Sequence, residues 1–389
     1  MSTIPIATLR PRRALGVLLA VITIVVLDVL IGGAWDAEYH RTQPFDGFFS
    51  PPHIFIYTWA LVAMALVLRL CLSPSLRYCF GPSMRIPGIR VPFPGALVVL
   101  AAGTAGIAVA GPLDAIWHTA FGLDETNWSF PHALLGFSLA VLAVGALACR
   151  IQLARLRPMW PITPYVLGYL AAVMTGVFLG PLQRYPTPGF AQASGSVGAL
   201  ADDADHQHLV RIVTEANLTH TNPAYVVLAA LWCGLVIGFL RALDARPRYW
   251  LLLGVLVGVG LLSGARDDAE RYGLLADQAV ATGTPLLTAV IAFALAAKLP
   301  ENGRFAVAGA AFAVHCWLVW GPAGSPVPYG LAALTAPLAA VAGAAVGRGI
   351  QAVVARPAER TTWLLVVIAL VGLPALTGSV DLALRIAIE

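Results

Sequence analysis

Gly33, Asp36, Ala37, His40, Asp46, Ser50, Pro52 and His53 recur in order and in kind as Gly111, Asp114, Ala115, His118, Asp124, Ser129, Pro131 and His132. In both copies three residues separate the first Asp from the first His, and five separate that His from the next Asp. The closing Pro-His comes one residue later in the second copy, and Phe49 or Trp128 stands before each Ser. Agreement over so many chemically distinct positions marks an internal repeat. Its reading decides the fold: a helix running out, a short polar loop, and a helix running back.

The composition around the repeat is that of a polytopic membrane protein. Of 389 residues 59% are hydrophobic and 11% charged, with a mean hydropathy of +0.80, far outside soluble composition. Apolar runs long enough to cross a bilayer as helices lie near 14–33, 52–70, 94–112, 131–149, 164–181, 223–241, 249–265, 284–298, 305–321, 327–347 and 362–378. That gives about 11 transmembrane helices in an all-α bundle of hairpin units. The runs 249–265 and 284–298 are short, so the count lies between ten and twelve. Arg10, Arg12 and Arg13 precede a long apolar run that no small-residue cleavage site follows, so the run reads as a span and not as a signal peptide.

Basic residues set the expected orientation. All but six of the 24 Lys+Arg (Arg41, Arg184, Arg211, Arg266, Arg271 and Arg385) fall in the N-terminus and the loops on its side. The positive-inside rule then puts the N-terminus in the cytoplasm of an inner or plasma membrane and the repeat loops on the outside. The net charge of +4 is a topology signal and does not point to nucleic acid. The five cysteines, Cys71, Cys79, Cys149, Cys233 and Cys316, form no CxxC pair and suggest neither a disulfide framework nor a thiolate cage.

Residues 1–150 hold the paired motif, and residues 151–389 read as further transmembrane helices around a long outer loop, 183–222. Gly180-Pro181-Leu182 repeats Gly111-Pro112-Leu113, and Asp268-Ala269-Glu270 resembles Asp36-Ala37-Glu38. Gly and Pro are common where helices end, so helix caps account for these echoes as well as decayed repeats do. The 183–222 loop holds Asp202, Asp203, Asp205, His206 and His208. A loop of that length is usually functional or disordered.

The motif carries metal-ligand chemistry. Asp36 and His40, four apart, share one face if the first helix continues through them, as do Asp114 and His118 on the third. Ser50-Pro51-Pro52-His53 and Ser129-Phe130-Pro131-His132 read as an N-cap Ser followed by Pro in the first turn. Each closing His then lies at a helix N-terminus, whose dipole disfavours imidazolium and keeps the ring in its ligating form. Each unit thus offers one Asp and two His. An acid–base relay or a hydrogen-bonded structural network uses the same groups; ionisable residues at membrane depth are costly and by default functional.

Asp36, His40 and His53, spaced Asp-x3-His-x12-His, resemble the copper-binding triad in the C subunit of particulate methane and ammonia monooxygenases. That subunit carries a second triad spaced Asn-x3-His-x13-His, and Asp114, His118 and His132 have this spacing with Asp in place of Asn. The resemblance covers roughly residues 28–140. It implies copper at Asp36, His40, His53, Asp114, His118 and His132, and oxidation of a small apolar or nitrogen-bearing substrate by O2, by the chain itself or by a complex in which it is the metal-binding subunit. Imidazole and carboxylate also suit iron and zinc. The five methionines are scattered, unlike those of a Cu(I) carrier.

Other residues carry two readings each. Asp28, inside the first span, is an orienting partner, part of a proton path, or a polar helix contact. Asp46 and Asp124 orient imidazole N–H groups or cap the returning helices. Trp35, Trp117 and Trp128 belong to an interfacial aromatic belt or line an apolar pocket. His220 is an extra ligand or a helix-end residue, and His315 is hydrogen-bonded core. A transporter or metal-uptake protein, using the Asp/His cluster as a proton- or ion-coupled site, is the rival from another class; a structural subunit is a third. The basic loops hold few acids (Asp244, Glu301, Glu359) and no His, which favours a one-sided site. The expected partners are the lipid bilayer, further subunits or a second copy, and a small-molecule substrate. The two units should pack side by side, because isolated polar clusters in an apolar zone are expensive.

Overall fold

The computed structural model describes residues 10–33, 35–36, 39, 48–121, 129–156, 288–320, 326–356 and 359–388, with further helical positions between 227 and 238. These fall into two compact units, one built from residues up to 156 together with 353–388, the other from 227 to 352. Among the described residues, five helical stretches are long and apolar enough to cross a membrane: Pro51–Leu72, Gly95–Trp117, Phe130–Leu156, Ala333–Ala355 and Glu359–Ser379. The expected spans 164–181 and 249–265 and the loop 183–222 lie outside the described residues.

The first unit is organised by four long helices. α1 (Pro11–Leu27) buries Ala14, Leu18, Val21, Ile22 and Val25, a stripe at helical spacing. Its other side is also apolar, with Leu19 and Leu27 exposed, as a helix facing lipid requires. A π-helical turn, Asp28–Gly32, follows, and Gly33, Trp35, Asp36 and Tyr39 beyond it are again helical. α2 (Pro51–Leu72) returns alongside α1. A short helix α3 (Pro74–Arg77), a 3-10 turn (Tyr78–Phe80) and an antiparallel ribbon of β1 (Ser83–Met84) and β2 (Phe93–Pro94) lead to α4 (Gly95–Phe121) and α5 (Phe130–Leu156). α1 packs on α2, α2 on α4, α4 on α5 and α5 on α1, so the four helices of the two repeats close a ring.

α4 and α5 approach closely through small residues. A Cβ on Gly103 would run into the Leu142 backbone, and one on Gly145 into the Leu100 backbone. Small residues let helix backbones meet where lipid supplies no hydrophobic drive. α4 runs through Pro112 to Phe121, although the sequence pattern ends its apolar run at that proline. α8 (Glu359–Val367), a second π turn (Ile368–Gly372) and α9 (Leu373–Ile388) complete the first unit, with Val366 packed on Val99 and Val141. At the ribbon end, buried Arg77 donates from Nη1 to the Cys71 carbonyl at 2.9 Å and lies over the Tyr78 and Phe93 rings. Cys79 is buried there, which pushes its thiol up from the ordinary value.

The second unit holds α6 (Glu301–Trp320), most of α7 (Pro326–Ala355) and a helical stretch over 288–295. Arg304 donates from Nε and Nη2 to the Phe293 carbonyl and lies over its ring. His315 Nδ1 lies 2.9 Å from Thr288 Oγ1, so this partly buried ring is held by a hydrogen bond.

Candidate metal centre

Each repeat brings its Asp and its closing His together from two different helices. In the first, the helical segment beyond the π turn carries Asp36, and α2 carries His53 two residues after its first. His53 Nε2 lies 3.0 Å from Asp36 Oδ1. In the second, α4 carries Asp114 two residues beyond Pro112, and α5 carries His132 two residues after Phe130. His132 Nδ1 lies 3.5 Å from Asp114 Oδ1. Both histidines occupy the third position of their helices, where the unpaired backbone N–H groups make the surroundings positive.

The serine before each returning helix stands at the expected cap position. Ser50 has φ −59° and ψ 152°, outside the helical range, and its carbonyl accepts the first helical bond, from Ile54 N–H at 3.0 Å. Ser129 does the same for Ala133 N–H at 2.9 Å. The Ser50 hydroxyl does not make the side-chain cap that the sequence suggests. Ser50 Oγ is buried without a hydrogen-bond partner. Ser129 Oγ lies 3.1 Å from His132 Nδ1 and so orients the ring.

Aromatic rings crowd the first pair. Tyr57, one turn along α2 from His53, stacks on it with centroids 5.7 Å apart, and Phe48 stacks on Tyr57 at 4.8 Å. Trp35 meets Phe55 edge to face at 6.0 Å. Trp35 is 43% exposed, as an interfacial aromatic would be. The Tyr57 ring reaches α4: a Cβ on Gly111 would stand 2.8 Å from Tyr57 Cε1. Gly111 is one turn before Asp114, so a ring stacked on the first histidine rests against the helix that carries the second aspartate. Sequence reading passes over Tyr57; the signal available was its place four residues after His53. It treats Ser129 as a cap only, although Ser-x-x-His is itself a spacing that brings the two side chains onto one helical turn.

Other expected site residues divide as follows. Asp28 is buried on the π turn, away from the Asp36–His53 contact by two turns of helix. His118 stands on α4 one turn beyond Asp114, its side chain outside what is described. His40, Asp46, Asp124, Trp128, His206, His208 and His220 also lie outside the described residues. Among the described residues no group of three His, Cys, Asp or Glu gathers at metal-binding distance; each repeat contributes a pair.

Each pair offers one carboxylate oxygen and one imidazole nitrogen. Two ligands each ~2.1 Å from one ion, at angles between square and tetrahedral, stand roughly 2.9–3.4 Å apart. The first pair, at 3.0 Å, falls inside that range and is equally at hydrogen-bond distance, and the second, at 3.5 Å, lies just beyond it. One carboxylate and one imidazole suit copper, zinc or iron.

Fold and site together define a protein with several membrane-spanning helices that carries two matched carboxylate–imidazole pairs. No family model, curated protein or solved structure matches the chain.

Proposed function

We propose that the chain is an integral-membrane metal-binding protein with one site per repeat, formed at Asp36, His40 and His53 and at Asp114, His118 and His132. The observation that carries this reading is the meeting of Asp36 with His53 and of Asp114 with His132 at 3.0 Å and 3.5 Å, each across two helices. Copper is the metal of choice on affinity order for imidazole and carboxylate donors and on the resemblance in motif spacing. By that resemblance the chain is an oxidase of the copper monooxygenase kind, or its metal-binding subunit, with the site at the outer face of the membrane.

The chain's own residues divide the work. His53 and His132 offer neutral nitrogens from helix N-termini. Asp36 and Asp114 supply the negative charge that offsets a divalent ion. Ser129 fixes the orientation of the second imidazole, a role that outer partners commonly take for metal-bound histidine. Phe48 and Tyr57 cover the first imidazole and limit water beside it. Copper, when bound, supplies the redox chemistry that these side chains lack.

Loading the purified full-length protein with Cu(II) and recording its electron paramagnetic resonance tests the proposal. The expected spectrum shows coupling to imidazole nitrogen, and His53→Ala with His132→Ala removes it. A spectrum of solvent-like Cu(II) in the wild type would overturn the assignment.

A further inference from the structure

Asp28 opens the π turn after α1, in the apolar run 14–33 that the sequence reads as a span, and is 8% exposed. Its Oδ1 is fully covered and meets no hydrogen-bond donor. The backbone offers it none, because the local backbone groups are engaged in the helix. Asp28 N–H bonds the carbonyls of Ile24 and Val25, and the Asp28 carbonyl accepts Gly33 N–H across the π turn. Asp28 Oδ1 shares the space beside Gly32 with apolar side chains of α2. A Cβ on Gly32 would stand 3.1 Å from Asp28 Oδ1, 2.7 Å from Ile56 Cγ1 and 3.2 Å from Phe55 Cδ1. The carboxyl is therefore packed at the contact of α1 with α2, against an aliphatic and an aromatic side chain.

Among the described residues no ion pair reaches Asp28; the α2 residues at its level, Phe55 and Ile56, lie between His53 and Tyr57, whose side chains engage Asp36 and Phe48. Between Tyr57 and Arg69 α2 has no titratable side chain, and between His132 and Cys149 α5 has none. His53 and Tyr57 stand toward one end of α2, and Arg69 and Cys71 toward the other. On α5, Cys149, Arg150 and Arg155 stand at the end away from His132. On α1 itself Arg12 and Arg13 lie four turns earlier, and α3 brings Arg77 to that same end.

The π turn explains why an acid so placed is turned inward. Asp36 is eight positions after Asp28, which in an unbroken α-helix sets them roughly 80° apart. A π turn absorbs one extra residue, so the pair is spaced as about seven α-helical steps and falls within roughly 20° of one face. Both carboxyls then face α2, one meeting His53 and the other covered by the packing around Gly32. The second π turn, Ile368–Gly372, has the sequence Ile-Ala-Leu-Val-Gly and no acid, and its Gly372 has only the Val367 carbonyl nearby, at 4.0 Å. Close packing and a carboxyl coincide at the first π turn and not at the second.

We propose that Asp28 is a proton-binding site inside the membrane, holding an exchangeable proton as the neutral acid between α1 and α2. A charged carboxylate without a donor in an apolar contact is costly, and neutralisation is the inexpensive alternative. A metal cation does not fit: among the described residues the site offers one carboxyl and no second oxygen or nitrogen ligand, with Phe55 and Ile56 packed beside it. This site does not depend on the metal reading of the Asp–His pairs, and its test contains no metal.

The test is infrared difference spectroscopy of the full-length protein in lipid at neutral pH, wild type against Asp28→Asn. The expected difference is loss of the carbonyl band of a protonated carboxyl group, and that band shifts when the wild type is equilibrated in D2O. Loss of ionised carboxylate bands instead would overturn the proposal, and so would a band that D2O leaves unmoved, since that proton is locked. Should the Asn variant fail to fold, an apolar carbodiimide, which adds to protonated carboxyls in membranes, is applied to the wild type. An adduct on the Asp28 peptide supports the proposal; an unmodified Asp28 peptide after exhaustive reaction contradicts it.

Discussion

The Asp36–His53 corner and the Asp114–His132 corner descend from one sequence pattern and end in different hydrogen bonding. In the first, Asp36 meets Nε2 of the imidazole, and the serine three residues before the histidine is buried away from it. In the second, Asp114 meets Nδ1, which Ser129 Oγ also approaches. The histidines are 13% and 35% exposed and the aspartates 24% and 18%, so the imidazole is the better covered in the first pair and the carboxylate in the second. The approach to each aspartate differs too. Asp36 follows a π turn, whereas Asp114 follows a proline that α4 passes through without ending. The matched spacing brings the same residue types together in both corners, and the corners differ in the helix distortion before the aspartate and in the nitrogen that meets it.

The comparison can be broken most severely through α4 and α5, which carry the second corner and pack on the helices of the first. Gly145→Val or Gly103→Val places a branched side chain against the opposite backbone of α4 or α5. Overpacking of this kind costs about 1–3 kcal/mol or more, so a marked drop in melting temperature is expected, with both corners lost together. Loss at the second corner alone would show that they do not share a folding unit.

Removing each carboxylate separates the corners. Asp36→Ala strands a well-covered imidazole and should cost ~1–3 kcal/mol, whereas Asp114→Ala should cost less because the His132 ring is more exposed and keeps Ser129. Chemical denaturation of the two variants checks the order; equal losses would remove the distinction.

Gly111→Ala probes the link between them. The new methyl would meet the Tyr57 ring, so a change made beside the second aspartate should disturb the stack on the first histidine. A change in near-ultraviolet circular dichroism, with ~1 kcal/mol lost, is expected. The smallest effect belongs to the serines. Ser129→Ala removes a hydrogen bond worth about 0.5–1.5 kcal/mol and frees the His132 ring to turn, while Ser50→Ala removes a hydroxyl that bonds nothing and should be near neutral. Nuclear magnetic resonance of the two labelled imidazoles distinguishes the cases.

Much of the helical layout was legible in the sequence. The apolar runs 52–70 and 131–149 became Pro51–Leu72 and Phe130–Leu156, because hydropathy over a span-length window reports on burial in lipid directly. Pro112 misleads by the same logic that usually works. Proline commonly ends a helix, yet α4 continues through an exposed Pro112, as helices in membrane spans can where the freed backbone carbonyl finds another partner. The π turn at Asp28–Gly32 has no sequence signature, since it depends on how Gly32 fits against Phe55 and Ile56 of a helix met only on folding. The meeting of Asp36 with His53 and of Asp114 with His132 was readable from spacing. The nitrogen each presents was not, because Ser50 and Ser129 are identical in the sequence and differ only in the surroundings that turn one hydroxyl toward its histidine.

Metal content per chain is the most direct test of the central claim that each repeat forms its own site. Full-length wild type, His53→Ala, His132→Ala and the double variant are loaded with copper, freed of excess and analysed for bound metal. Each single variant is predicted to keep about half of the wild-type metal, and the double variant to keep none. Unchanged metal in the double variant would contradict the account and leave the two Asp–His pairs as hydrogen-bonded joints between helices.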